Sequence, residues 1–258
     1  PKSVWDAVVQ GERIAKDERL RLKLGADPVA ALGTLLENQG VLVMGIELPD
    51  GISGFTFRFD HHLVCGINVK QPLGRQRFSL AHELCHALCD LDVAAGMVTR
   101  TTDGRDLRET RANAFAAEFL MPEDGVRQFL ENLGKALPAL VATQTGLARR
   151  RVPKNPIDRI DVLLLARYFG VTREAAIWRL KSLGLIGDRE REELMSEESW
   201  NELETELLKA GTFKGHEVVE RIDRGETRLF YLAYAAQRRQ EISPRKFQEL
   251  ASLAGLPR

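Results

Sequence analysis

The chain has 258 residues, 44% of them hydrophobic and 29% charged, with 37 Lys plus Arg against 37 Asp plus Glu. A zero formal charge leaves no global electrostatic case for a nucleic-acid or membrane-surface binder, and the length suits one large domain or two modest ones. No apolar run of about 18 residues occurs that would span a bilayer, the N-terminal residues lack a signal-peptide apolar region, and three cysteines do not suit a disulfide framework, so the expected setting is a reducing cytoplasm.

Val8, Ile14, Leu20 and Leu24 recur among charges at helical spacing and predict a surface helix over 4–24 that stops at Gly25. Pro28 opens a second helix to about Asn38. The pattern then turns to β: VLVMGIEL (41–48), GFTFRFD (54–60) and LVCGINV (63–69) are short and rich in β-branched and aromatic residues, with Pro49-Asp50-Gly51 and Asp60-His61-His62 as turns. Three such runs in succession predict a small antiparallel sheet. Helical period returns at about Arg75, with Phe78, Ala81, Leu84, Cys85 and Leu88 marking the buried side of a helix to Asp90. A polar loop, TRTTDGRD (99–106), leads to a helix through LRETRANAFAAEFL (107–120), which stops at Met121-Pro122 because proline disfavours helix at the residue before it. Downstream everything reads as helix: 124–133, 137–147, 156–169, 172–183, 196–209, 229–240, and a short last one after Ser243-Pro244. The basic, proline-containing stretch ARRRVPKNP (148–156) is the one shift in composition, and sets an expected boundary between residues 1–147 and a helical part, 148–258.

Residues 77–90 read RFSLAHELCHALCD. Each helical residue advances about 100°, so His82 and His86 lie about 40° apart on one face and both imidazoles can reach one ion. Glu83, about 100° from His82, can approach water near that ion without ligating it. Two nitrogen ligands and one carboxylate base are the chemical content of HExxH, a pattern of moderate specificity by itself. A catalytic zinc takes three protein ligands, commonly two His and a carboxylate, and keeps a position open. Glu109, opening ETRANAFAAEFLMP, is the candidate third ligand; Asn113, one turn on, is placed to hydrogen-bond around the site; and Ala112, Ala116 and Ala117 let this helix pack close to the histidine helix. Glu118 is a further candidate around the site, with a structural salt bridge as its alternative.

RQRFSLAHELCHALCD followed by ETRANAFAAEFLMP resembles the ImmA/IrrE family of metallopeptidases, in which RxRFTLAHELGH precedes E-x-x-x-N-x-F-A-A-E-x-L-M-P. The two blocks in order are far more specific than HExxH alone, and the resemblance covers roughly residues 28–125. It implies an α+β, zincin-like metallopeptidase domain with its small antiparallel sheet, followed by an all-helical domain. It implies zinc held by His82, His86 and Glu109, with Glu83 as general base. It further implies a protein substrate, an XRE-type helix-turn-helix repressor, cut in stress or mobile-element regulation. Some relatives fused to a DNA-binding domain are described only as transcriptional regulators, so a regulator or sensor that binds an effector or partner without proteolysis is the rival, favoured if the chain continues upstream of Pro1 into such a domain.

Cys85 stands where that family more often has Gly or Ser, and Cys89 lies one turn on. Both share an arc of about 100° with the histidines, but four ligands on one helix cannot surround one ion tetrahedrally. They read as small buried hydrophobes, or as a redox-sensitive thiol pair beside the zinc. FGVTREAAIWRLKSLGLI (169–186) looks like a helix-turn-helix, with Thr172 as N-cap and Arg173, Arg179 and Lys181 available for phosphates. Its apolar Ala175, Ala176, Trp178, Leu180 and Leu183 favour packing on the peptidase core or docking a protein substrate over direct DNA contact. His61, His62 and His216 read as surface residues, Arg149–Arg151 with Lys154 as a solvated basic loop, and the Glu-rich stretch 188–206 as a charged helical face anchored by Trp200.

Overall fold

The computed structural model describes residues 1–59, 62–90, 96–100, 106–135, 140–142, 148–150, 155–196, 200–209, 233–234 and 236–253. In chain order they form α1 (Val4–Arg21), α2 (Leu32–Glu37), β1 (Val41–Ile46), β2 (Ile52–Phe59), β3 (His62–Asn68), α3 (Leu73–Cys89), β4 (Gly96–Arg100), α4 (Leu107–Leu120) and α5 (Glu123–Asn132). A short pair follows, β5 (Leu140–Ala142) and β6 (Ala148–Arg150), then α6 (Arg159–Phe169), α7 (Arg173–Ser182), α8 (Asp188–Met195), α9 (Trp200–Lys209) and a closing helix, Pro244–Leu253. Helix starts follow local chemistry: Ser3, Asp106 and Thr172 each accept a backbone N–H at an N-cap, and Asp158 and Asp161 form a reciprocal capping box at α6.

The sheet is mixed rather than antiparallel. Its strand order is β1-β3-β2-β4, with β3 parallel to β1 and antiparallel to β2, and β4 antiparallel to β2. The reason lies in burial. β1 alternates buried and half-buried positions, whereas Val64 to Asn68 of β3 are buried without a break. Strands with both faces covered read as continuous apolar runs and take central places, so the chain leaves a slot between β1 and β2 that β3 fills. Thr99 and Arg100, expected as the start of a loop, close the edge strand β4 instead, where the β-branched Val98 and Thr99 suit extended chain. Of the helix expected over 137–147, the described residues Leu140–Ala142 form β5 instead, paired antiparallel with β6, and the β-branched Val141 suits extended chain; the rest of that stretch lies outside the described residues. Residues 28–31 precede α2 rather than starting it.

α3 touches β2 and β3 on one side and α4 on another, and α1 packs along α4. Such a helix is buried on nearly all its faces, and its polar side chains tie in neighbouring segments. Gln76 donates to the Val69 and Gln71 carbonyls, and Arg77 to those of Val29, Ala30 and Gly170. α1 approaches α4 at Gly11, where a Cβ would fall 2.3 Å from the Arg111 carbonyl oxygen, so only glycine fits. One continuous apolar core runs from Ala15 through α3 and α4 to Val162, Leu180 and Trp200.

Candidate metal centre

α3 and α4 bring the sequence's candidate ligands together. His82 Nε2 and His86 Nε2 are 3.0 Å apart; Glu109 reaches His82 Nε2 with Oε2 at 3.0 Å and His86 Nε2 with Oε1 at 3.2 Å. All three are buried, and together they are the one described group of His, Cys, Asp and Glu side chains arranged to hold a metal ion. Donor atoms about 2.0–2.1 Å from a tetrahedral zinc stand about 3.3 Å from each other, close to these separations. The far nitrogens are also held: His82 Nδ1 lies 3.0 Å from Asn113 Oδ1, and His86 Nδ1 lies 2.8 Å from Asp90 Oδ2. Both partners accept, so each Nδ1 carries the proton and both Nε2 lone pairs point at the shared space. Two lone pairs and a carboxylate facing one another repel unless a cation sits among them, so this donor set fits a divalent metal.

Electrostatics agree. Burial pulls the His86 pKa down, but hydrogen bonds to Asp90 and Glu109 and the charges of Glu83 and Glu109 outweigh it and push it up to about 9. Burial raises Glu109, and its bonds to both histidines reverse this and take it down to about 2. In the metal-free chain a proton on His86 therefore occupies the role of the cation.

Glu83 is fully buried against β2. The Thr56 hydroxyl stands 2.6 Å from Glu83 Oε2 and 3.2 Å from the Glu83 carbonyl oxygen, with Cys65 Sγ at 3.6 Å. A hydroxyl has one proton to give, and 2.6 Å is the length of a bond to a charged oxygen, so the carboxylate receives it. Two residues earlier on the same face of β2, a Cβ at Gly54 would fall 3.0 Å from Glu83 Oε1 and 2.9 Å from the Gly66 carbonyl oxygen. Gly54 and Thr56 thus form a fitted seat for the carboxylate.

Asn113 lies where expected, at His82, and is itself exposed, so the site meets solvent on that side. Glu118 does not join the group. Nine residues past Glu109, about 13 Å along the helix, it is buried in an ion pair with Arg179. Arg179 is 1% exposed and also donates to the Met121 carbonyl, while Arg173 pairs with Glu174 and Lys181 with Asp188, so each cation of the helix-turn-helix element has an acidic partner. Thr172 caps α7 as expected, and Trp200 is buried beneath the Arg159 and Arg173 guanidinium groups. Cys85 is buried and its thiol is pushed up by its hydrogen bond to Cys89 and by burial; Cys89, half-buried, is lowered to about 7, first by that same bond and then by Arg111 and His86 against burial. Residues 61, 151–154 and 216 lie outside the described residues, as does the His62 side chain.

Sequence reasoning missed Thr56, Asp90 and Arg111. Alternation in GFTFRFD puts Gly54 and Thr56 on one face of a strand, and Asp90 stands four residues after His86 on the same helical stripe, so both carried a signal. For Arg111, two residues beyond Glu109, the spacing carries none.

The sequence model of the IrrE N-terminal-like domain of the M78 peptidases matches residues 36–181, from α2 to the end of α7. No curated protein matches the chain.

Proposed function

The chain belongs to the M78 peptidase family, and on that premise we propose that it is a zinc-dependent endopeptidase whose substrate is a protein, specifically a helix-turn-helix transcriptional repressor of the XRE type. His82, His86 and Glu109 would hold the zinc. The observation that carries the reading is their convergence to 3.0–3.2 Å with both outer imidazole nitrogens already engaged. When bound, the metal supplies Lewis acidity, which polarises a carbonyl and acidifies water.

The remaining work falls to this chain's own groups. Glu83 acts as general base, taking a proton from the attacking water and passing it to the nitrogen of the departing amine. The Thr56 hydroxyl holds Glu83 Oε2, and the glycine at 54 leaves room for Oε1, so the carboxylate meets water in one orientation. Burial of Glu83, His82 and His86 keeps bulk water from screening these charges. No helix among the described residues is long and apolar enough to cross a membrane; residence in the cytoplasm, with the repressor, is part of the same proposal. The repressor itself is supported by the likeness to the ImmA/IrrE proteins in both sequence blocks.

The zinc-loaded protein is to be incubated with a helix-turn-helix repressor encoded beside its gene and the products identified by mass spectrometry. Cleavage at one bond, abolished in Glu83→Gln, is the expected result. An intact repressor, with the zinc demonstrably bound, would remove the repressor as substrate.

A further inference from the structure

The two histidines are supported unequally. His82 faces the neutral amide oxygen of Asn113, whereas His86 faces Asp90, whose other oxygen takes a 2.5 Å bond from Arg111 Nη2. Asp90 and Arg111 are both buried. Asp90 is also the C-cap of α3, the end of a helix where the backbone dipole favours cations and disfavours a carboxylate. An acid buried there needs a tertiary cause, and His86 and Arg111 are the groups it meets. Arg111 is costly in its own way: its Nε is buried with no hydrogen-bond partner, and among the described residues Asp90 is its one hydrogen-bond acceptor. A guanidinium kept under those terms is kept for that bond.

We infer that Arg111 and Asp90 are positioning residues for His86, a charged clamp that fixes which imidazole nitrogen faces the metal and strengthens it as a donor. The inference rests on the metal reading of His82, His86 and Glu109. An anionic acceptor at Nδ1 holds the proton there, leaves Nε2 unprotonated, and makes the ring more basic toward a metal. Arg111 Nη2 holds Asp90 Oδ1 and so keeps Oδ2 facing the His86 imidazole. Because Glu109 and Arg111 are two residues apart on α4, one short segment both supplies the third ligand and orients the second. Docking of α4 on the C-terminal end of α3 and assembly of the metal site are then the same event.

The test is zinc affinity of the full chain, measured by competition with a chromogenic chelator for the wild type, Asp90→Asn, Arg111→Met, their combination, and Arg111→Lys. Asp90→Asn and Arg111→Met are each expected to weaken zinc about 10- to 100-fold. The double variant should be no weaker than Asp90→Asn alone, since Arg111 acts through Asp90. Arg111→Lys should recover most of the affinity, because the contact is single-pronged and a point charge can serve it. Unchanged affinity in Asp90→Asn, or losses that multiply in the double variant, overturn the clamp. So does a fall in the melting temperature of the metal-free variants with zinc affinity intact, which marks a structural role. A wild type that binds no zinc overturns the metal reading itself, and the clamp with it.

Discussion

Thr56 gives its single hydroxyl proton to Glu83, and that bond offsets the cost of burying the carboxylate proposed as the base. Removing the donor should raise the pKa of the carboxylate, since a hydrogen bond to the charged form favours that form. In Thr56→Val the acid limb of the pH–rate profile is expected to move to higher pH with zinc content unchanged, together with a stability loss of about 1–3 kcal/mol from the unsatisfied buried oxygen. An unmoved limb would leave Thr56 as packing only. The same buried charges set a pH dependence on the metal-free chain. His86 is raised above its ordinary 6.5 to about 9, so the stability it contributes is whole below 6.5 and is lost as pH climbs through 9. Glu109 is depressed from 4.5 to about 2, so its share is whole above 4.5 and is lost as pH falls toward 2. Chemical denaturation of the metal-free protein should therefore show these groups contributing fully between pH 4.5 and 6.5. On the proposed reading a zinc ion would displace the His86 proton, and titration at neutral pH in weak buffer should release about one proton per metal bound. The convergence of His82 and His86 with Glu109 was legible because a helix turns spacing into direction. Thr56 was hidden because its partner lies 27 positions away, across a sheet whose pairing the sequence does not state.

α3 and α4 form the site together, and α1 backs α4 through the close contact at Gly11. Any side chain there must push the α4 backbone near Arg111, because the obstacle is a carbonyl oxygen rather than the flexible end of a side chain. Gly11→Ala is expected to cost about 1–3 kcal/mol, seen as a lower melting temperature, and to weaken zinc binding, because the displaced segment carries both Glu109 and Arg111. A lower melting temperature with zinc affinity intact would show that α1 supports the fold but not the site. Periodicity located all three helices, and apolar runs located β1, β2 and β3. Strand order escaped it. Hydrophobic alternation tells a strand from a helix but does not choose neighbours, and the central place of β3 follows from its being covered on both faces. The residues of β5 were taken for helix because Leu137, Leu140, Val141 and Leu147 also satisfy a helical spacing, an ambiguity inherent in short apolar runs.

The helices beyond residue 155 are stapled to the region that bears the site by two buried arginines. Arg77 of α3 donates to the Gly170 carbonyl at the α6–α7 turn, and Arg179 of α7 pairs with Glu118 of α4 and donates to the Met121 carbonyl. Breaking one partner of a buried pair strands the other, at a cost of about 3–5 kcal/mol. Arg179→Ala should therefore lower the stability of both regions together, in one cooperative unfolding transition followed by tryptophan fluorescence and circular dichroism. Two separate transitions, only one of them shifted, would show that α6 and α7 unfold on their own. The sequence counted Arg179 among cations available for phosphates because charge is visible there and burial is not; its partner Glu118 stood in a different block.

The metal reading is tested most directly by elemental analysis of the wild type and Glu109→Ala, purified side by side under reducing conditions. About one zinc per chain is expected in the wild type, with loss or marked weakening in the variant, as Glu109 closes the donor set that His82 and His86 begin. Zinc undiminished in Glu109→Ala would contradict the assignment of the third ligand, and zinc in neither would contradict the metallopeptidase account as a whole.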